Sequence, residues 1–139
     1  MATFNQFEQT IADAFNGVHD FASDTVKIYL TNETPSSSAD SVKSDLTEIS
    51  TGNGYTGGVT IPVTSSTQTG GAYSLAVSTS TQTITASGGP VGPFRYAVAF
   101  NDTSASDSLI SFYDYGSSIT LADGETLNIR PSATLFTAS

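Results

Sequence analysis

The stretch from Gly92 to Ile129 constrains the fold most. Phe94, Tyr96, Val98 and Phe100 alternate with Arg95, Ala97 and Ala99. A period of two puts the first set on one face of a strand and the second set on the other. Asn101-Asp102 and the serine-rich gap behind it break the pattern as a turn would. Ser108 to Asp114 resumes it, and Asp123-Gly124 is a hairpin dipeptide. Consecutive antiparallel strands with a half-buried face are the simplest reading, and no residue in the stretch is catalytic by type or spacing.

The rest of the chain is punctuated in the same way. Thr25 to Thr31 reads as a strand with Val26, Ile28 and Leu30 on one side. Asn32 to Ala39 is a loop, and Val42, Leu46 and Ile49 share a face if Ser41 to Ser50 forms a short helix. Gly52-Asn53-Gly54-Tyr55-Thr56-Gly57-Gly58 lacks the flanking strand, helix and Lys-Ser/Thr pair of a phosphate cradle, so a turned or flexible connection is expected. Val59, Ile61 and Val63 alternate around Pro62, which points to an edge or a bulge. Further strands are expected around Tyr73-Leu75-Val77 and over Thr81 to Ala86, before the break at Ser87 to Pro90. The tail from Pro131 to Ser139 keeps Leu135 and Phe136 and reads as a last strand or an arm on a neighbour.

One helix is expected, over residues 1–17. Phe4, Phe7, Ile11, Phe15 and Val18 recur at three- and four-residue steps. Thr3 and Gln6 fit a capping box, and Gly17 fits the residue just past a helix end. The apolar stripe either closes one end of the sheet core or docks in a groove on another subunit. The organisation expected is therefore one domain, 1–139: an N-terminal helix, about eight strands over residues 25–130, and a C-terminal strand or arm over 131–139. The fold class is mainly β, an antiparallel sandwich, jelly roll or barrel.

Composition narrows the function classes. Charged residues make up 12% of the chain, against a usual share of about 25%. The net charge of -9 repels nucleic-acid phosphates and anionic lipid, so neither nucleic acid nor membrane is an expected partner. No apolar run approaches the ~20 residues of a membrane helix, and the N-terminus lacks the basic and apolar regions of a secretory signal. There is no cysteine, so disulfides and thiolate metal sites are excluded. His19 is the single histidine, and a structural role is the expectation for it. Asp102, Asp107, Asp114, Asp123 and Glu125 do not form a calcium loop. No tryptophan is present to stack a sugar, although six tyrosines leave carbohydrate binding open. No catalytic residue, cofactor or metal is expected.

Three motifs carry a resemblance. They are Gly17-Val18-His19-Asp20 followed by Val26-Lys27-Ile28-Tyr29-Leu30-Thr31-Asn32; the glycine-dense stretch Gly52 to Gly58; and G-G-P-V-G-P-F-R-Y-A-V-A-F-N-D-T with Y-D-Y-G-S-S-I-T-L-A-D-G-E-T. Together they resemble a family of small tailed-bacteriophage proteins associated with capsid cement, or decoration, and with a jelly-roll fold. The resemblance runs from the first helix to about Ile129. It implies a non-enzymatic virion protein, made in the host cytoplasm and placed on the outer surface of the capsid. Its partners would be the major capsid protein and further copies of itself, as a dimer or trimer, and it would bridge neighbouring capsomers. A head fibre, a tail component or a glycan-binding surface module is the alternative. The expected anchor is the stripe Phe4, Phe7, Ile11 and Phe15, with Leu135 and Phe136 second.

Overall fold

A computed structural model describes residues 2–138 and shows a mostly β molecule with one short helix. Strands β1 (Thr3–Gln6), β2 (Val26–Thr31), β3 (Val59–Ile61), β7 (Val91–Asn101) and β8 (Leu109–Leu121) form a five-stranded antiparallel sheet in the order β1-β8-β7-β2-β3. Strands β4 (Val63–Thr69), β5 (Ala72–Val77) and β10 (Thr134–Ala138) form a second sheet, in the order β10-β5-β4. Strands β6 (Gln82–Thr85) and β9 (Thr126–Ile129) pair as a ribbon. Helix α1 (Gln9–Phe15) follows β1. The five-stranded sheet faces the other two across the main core, giving a sandwich-like arrangement of antiparallel sheets.

The five-stranded sheet is buried on both faces. Val26, Ile28 and Leu30 point into the main core with Ala97, Ala99, Ile110, Leu75, Leu135 and Phe136. Tyr29, between them, points the other way, into a second core with Phe7, Leu46, Tyr96, Val98, Phe100, Leu109 and Phe112. Alternation along β2 and β7 therefore sorts residues between two cores rather than between core and solvent. Small Ala97 and Ala99 sit opposite Leu30 and Ile28 in the ladder, so the main core is filled from β2 at that level.

The expected single face of Phe94, Tyr96, Val98 and Phe100 does not hold. Phe94 belongs to the main core and the other three to the second. The change of face coincides with a break in the β7–β8 ladder: Phe94 pairs with Ile119, but Tyr96 pairs with Asp114. Extra residues on β8 form a bulge there, with Gly116 at φ 88°. Arg95 sits in the break and clamps it, donating from Nε and Nη2 to the Asp114 carboxylate at 2.8 and 3.0 Å. The Gly116 N–H donates to the same carboxylate at 2.7 Å. These bonds, the Arg95 pair foremost, hold the Asp114 carboxyl below the usual carboxylate range.

Two further expectations are corrected. The proposed helix over Ser41 to Ser50 is a single 3₁₀ turn, Lys43–Asp45, in an extended covering segment. Leu46 enters the second core while Ile49 packs on the main one, so the helical spacing is met by two cores and not by one face. Lys43 lies over the rings of Tyr29 and Phe100 and pairs with Glu48 at 3.0 Å. Asp123-Gly124 does turn the chain, with Glu125 N–H donating to Ala122 O, but it is no hairpin. It sends the chain from β8 in the large sheet to β9 in the ribbon. Pro62 marks another such switch, between β3 and β4, with a bulge just after it.

The glycine-dense stretch is a tight clip. Asn53, at φ 53°, accepts from Ser87 N–H through its carbonyl and donates from its side chain to Pro90 O. Gly54 has φ 96°, and a Cβ there would lie 2.0 Å from Thr85 O. Gly54→Ala should therefore lower stability by roughly 2 kcal/mol or more in urea unfolding, combining left-handed strain with a backbone clash. Gly70→Ala, at φ 60° in open space, should cost only about 1 kcal/mol. Equal losses at the two positions would show that the clip is not tight.

Candidate interaction surface

Residues 3–18 depart most from expectation. Thr3 to Gln6 is not helical and caps nothing; it is β1, paired with Ser111 to Asp114 of β8. The side chain of Gln6 continues the ladder. Its Oε1 accepts from Thr137 N–H at 2.8 Å, and its Nε2 donates to Thr137 O at 3.3 Å. This amide imitates a peptide group and joins the edge of the large sheet to β10. Capture of residues 3–6 by β8 leaves only Gln9 to Phe15 for the helix. Its end is as expected: Val18 N–H donates to Asp13 O and Gly17 N–H to Ala14 O, with Gly17 at φ 80°.

The six expected anchor residues separate accordingly. Phe7 is buried in the second core, and Leu135 and Phe136 are buried in the main core as part of β10. These three are committed to the chain's own interior, so the C-terminal segment is a core strand and not a free arm. Phe4 leans on the Tyr113 ring at 5.4 Å and is 37% exposed. Ile11 and Phe15 remain. They are 42% and 85% exposed and one helical turn apart, while Val18, 38% exposed, lies past the helix end in the groove on the other flank. The helix is fastened from its other side, where buried Thr10 sets its hydroxyl 2.9 Å from Leu109 O and 3.1 Å from Ile110 O. A buried threonine thus turns an apolar helical edge towards solvent.

Beneath that edge is a cleft of about 320 Å³, lined by Ile11, Ala14, Phe15, His19, Asp20, Phe21, Ser66, Tyr73, Phe136 and Ala138. Its floor residues Phe21, Tyr73 and Phe136 are a cluster of facing rings, 6.0 to 6.4 Å apart, continuous with the main core. A second groove, of about 490 Å³, on the other flank of α1 is lined in part by Gln9, Asp13, Val18 and the serines of residues 104–108. Asp13 and Asp20 are therefore on opposite flanks of the helix. None of the chain's lysines or arginines lines either depression.

His19 closes the inner end of this region. Its ring stacks on Phe21 at 4.6 Å, and Nδ1 accepts from the Asn101 amide at 2.9 Å. The same amide donates to Asp24 at 2.6 Å, while Asn101 Oδ1 accepts from Thr103 and Ser104 N–H. With its donors so placed, Asn101 fixes the imidazole as the Nε2–H tautomer, and that N–H has no partner among the described residues. Asp20, the sequence neighbour, turns away and accepts from Ala22 N–H and Ser23 Oγ in its own turn. The ring is held by stacking and by the Asn101 amide as part of the fold.

The acidic residues of the second half are also spread out. Asp102 pairs with Lys27, Asp114 with Arg95, Asp123 accepts from Gly88 N–H, and Glu125 accepts from Ala122 N–H. Among the described residues, no three His, Asp or Glu side chains converge as a metal site. All six tyrosines are buried or half-buried. No helix among the described residues is long and apolar enough to cross a membrane.

No protein-family model, curated protein or solved structure matches the chain.

Burial holds the His19 imidazole below its usual range, against the opposing pull of Asp13 and Asp24. The unfolded ring takes up a proton near pH 6.5, which the folded ring refuses until lower pH. Stability should thus be complete above about pH 7, and should fall as the pH drops below about 6.5 until the folded ring also protonates. Urea midpoints at several pH values will show this fall in the native protein and its loss in His19→Gln. Parallel pH profiles for the two would mean that the ring titrates alike in both states.

Proposed function

We propose that this chain is a non-enzymatic structural protein of a tailed-phage virion. It decorates the outer surface of the major capsid protein shell and cements neighbouring capsomers. The sequence motifs quoted above carry the phage assignment and the jelly-roll topology. The single structural observation that supports a binding role is the apolar edge of α1. A chain that buries aromatic residues on both faces of its central sheet leaves Phe15 85% exposed beside an open, ring-floored cleft. Exposed apolar groups set over a cavity mark interaction surfaces more often than isolated ones do. The excess of acidic residues suits the outer side of a shell whose interior holds DNA. Whatever binds assembled shell in preference to free subunits stabilises the shell by mass action.

The alternative, a glycan-binding fibre or tail module, draws on the tyrosines, and core packing already accounts for those. The anchor is narrowed to Ile11 and Phe15 of the residues first singled out.

Deleting the N-terminal residues is a poor test, because it would remove β1 and Phe7 from the core. The double variant Ile11→Ala/Phe15→Ala should shift the free energy of unfolding by no more than about 1 kcal/mol, since both side chains are exposed. It should markedly reduce the number of copies on mature particles, counted by quantitative mass spectrometry. Full occupancy by a folded double variant would remove α1 from the binding surface. Absence of the native protein from mature heads would remove the decoration role itself.

A further inference from the structure

The cleft beneath α1 opens beside a free sheet edge. Strand β4 is the outer strand of β10-β5-β4, and its backbone has no partner but β5 along Ser65 to Thr69 among the described residues. Natural edges are blunted by charge, proline or bulges. Here Pro62 and the bulge between Val63 and Ser65 guard only the start of the strand. Ser66 to Thr69 carries no charge, no proline and no irregularity, and is half-buried to exposed. Ser66 is shared by both features: it belongs to the open edge, lines the cleft, and bonds Tyr73 Oη at 2.7 Å across the cleft wall.

A strand laid on β4 would put alternate side chains on the same face as Ser66. The first of them would lie at the mouth of the cleft, against Phe15 and the rings of the floor. Charge selects the kind of strand. Asp20 lines the cleft, Asp13 lies on the far flank of α1, no lysine or arginine lines either depression, and the whole chain carries -9. Like charge disfavours a second copy and favours a basic segment.

We propose that β4 and the α1 cleft form one docking site for an extended segment of a partner protein, which adds as a strand to β4, inserts an aromatic or large aliphatic side chain into the cleft, and carries lysine or arginine beside it. The mode is strand addition, in which backbone bonds hold the segment and the pocket selects the side chain. It names how the shell would be gripped if the decoration reading holds, but its test needs no virion, so the two can fail separately.

The probe is a short synthetic peptide of alternating threonine and valine with a central phenylalanine and a lysine at each end. Its control has glutamate in place of lysine. With isotope-labelled full-length protein, the basic peptide should shift amide resonances of Ser66 to Thr69 and of the cleft, and the acidic one should bind about tenfold more weakly or not at all. Raising salt from about 50 to 500 mM should weaken the basic peptide several-fold. In an edge strand, successive residues direct their backbone groups alternately inwards and outwards. Of Thr67→Pro and Gln68→Pro, the variant that keeps the native melting temperature therefore blocks the outer edge, and it should lose binding about tenfold. If neither proline variant folds, Ala14→Phe, which fills the cleft from the helix, gives the same reading. Shifts elsewhere on the molecule, equal binding of both peptides, or native affinity in the folded variants would overturn the proposal. So would a concentration-dependent dimer that strengthens with salt and forms through β4, which would make a second copy the occupant.

Discussion

Burial of the β7–β8 pair on both faces governs the rest of this structure. From Ala97 to Asn101 every residue of β7 is buried, and the facing stretch of β8 is buried from Leu109 to Phe112. A sheet wet on one face needs one partner layer; this one needs two. The small sheet and the ribbon cover one side. On the other side no second sheet lies among the described residues, and the cover includes Phe7, Leu46 and the Lys43 ammonium set over Tyr29 and Phe100. The long connection between β2 and β3 is thus fixed as a lid. Its polar tethers include the Tyr55 hydroxyl, which accepts from Leu30 N–H and donates to Glu48.

The same constraint explains the polar interior. Thr31 and Asn101, at the ends of β2 and β7, and Ser108, just before β8, are buried where strands meet their connections, and Ser111 is buried inside β8. Asn101 ties the end of β7 to His19, Asp24, Thr103 and Ser104 at once. A buried amide with all its donors and acceptors engaged fixes loop positions more sharply than apolar packing can, because each unmet group would be costly. That hub sets where residues 19–24 leave the core, and so where the inner wall of the cleft stands.

The strands were largely legible from alternation, because period two survives whichever core a residue enters. The assignment of faces was not. Phe94 and Tyr96 are two apart and read as neighbours on one side, yet the ladder to β8 breaks between them, and nothing in the local sequence of β7 marks that break. The helix failed for a different reason. Phe4, Phe7 and Ile11 fit a helical stripe, but β8 offered residues 3–6 a ladder, and tertiary pairing outweighs local periodicity over so few residues. Gln6 fits either role, as a capping-box partner or as a surrogate peptide on a sheet edge, and only the neighbouring β10 decides for the second. Asp123-Gly124 is legible as a turn and not as the change of sheet it makes, since local chemistry fixes a bend and not the sheet it leads to. The candidate surface was half legible: Ile11 and Phe15 were singled out, but on the premise that Phe4 and Phe7 shared their face.

The surface also limits what the proposed role can include. Cementing requires each unit to hold two neighbours, whereas decorating requires one attachment. Ile11 and Phe15 lie together on α1 over the cleft and beside the β4 edge, while Phe4 is exposed apart from them on β1, so the α1 surface by itself grips one partner. Phe15 offers at most the ~150–250 Å² of an aromatic side chain, well short of the ~800 Å² per partner of a standard stable interface. Strand addition along β4 supplies more contact, yet still to one partner segment. Cross-linking of capsomers therefore follows only where copies associate with one another, each gripping a different neighbour, so that modest sites combine through effective concentration. With -9 on every chain, such association must place the α1 surface outwards and meet through a face where charges are few or already paired. A chain that stays monomeric on the shell would decorate it without bracing it.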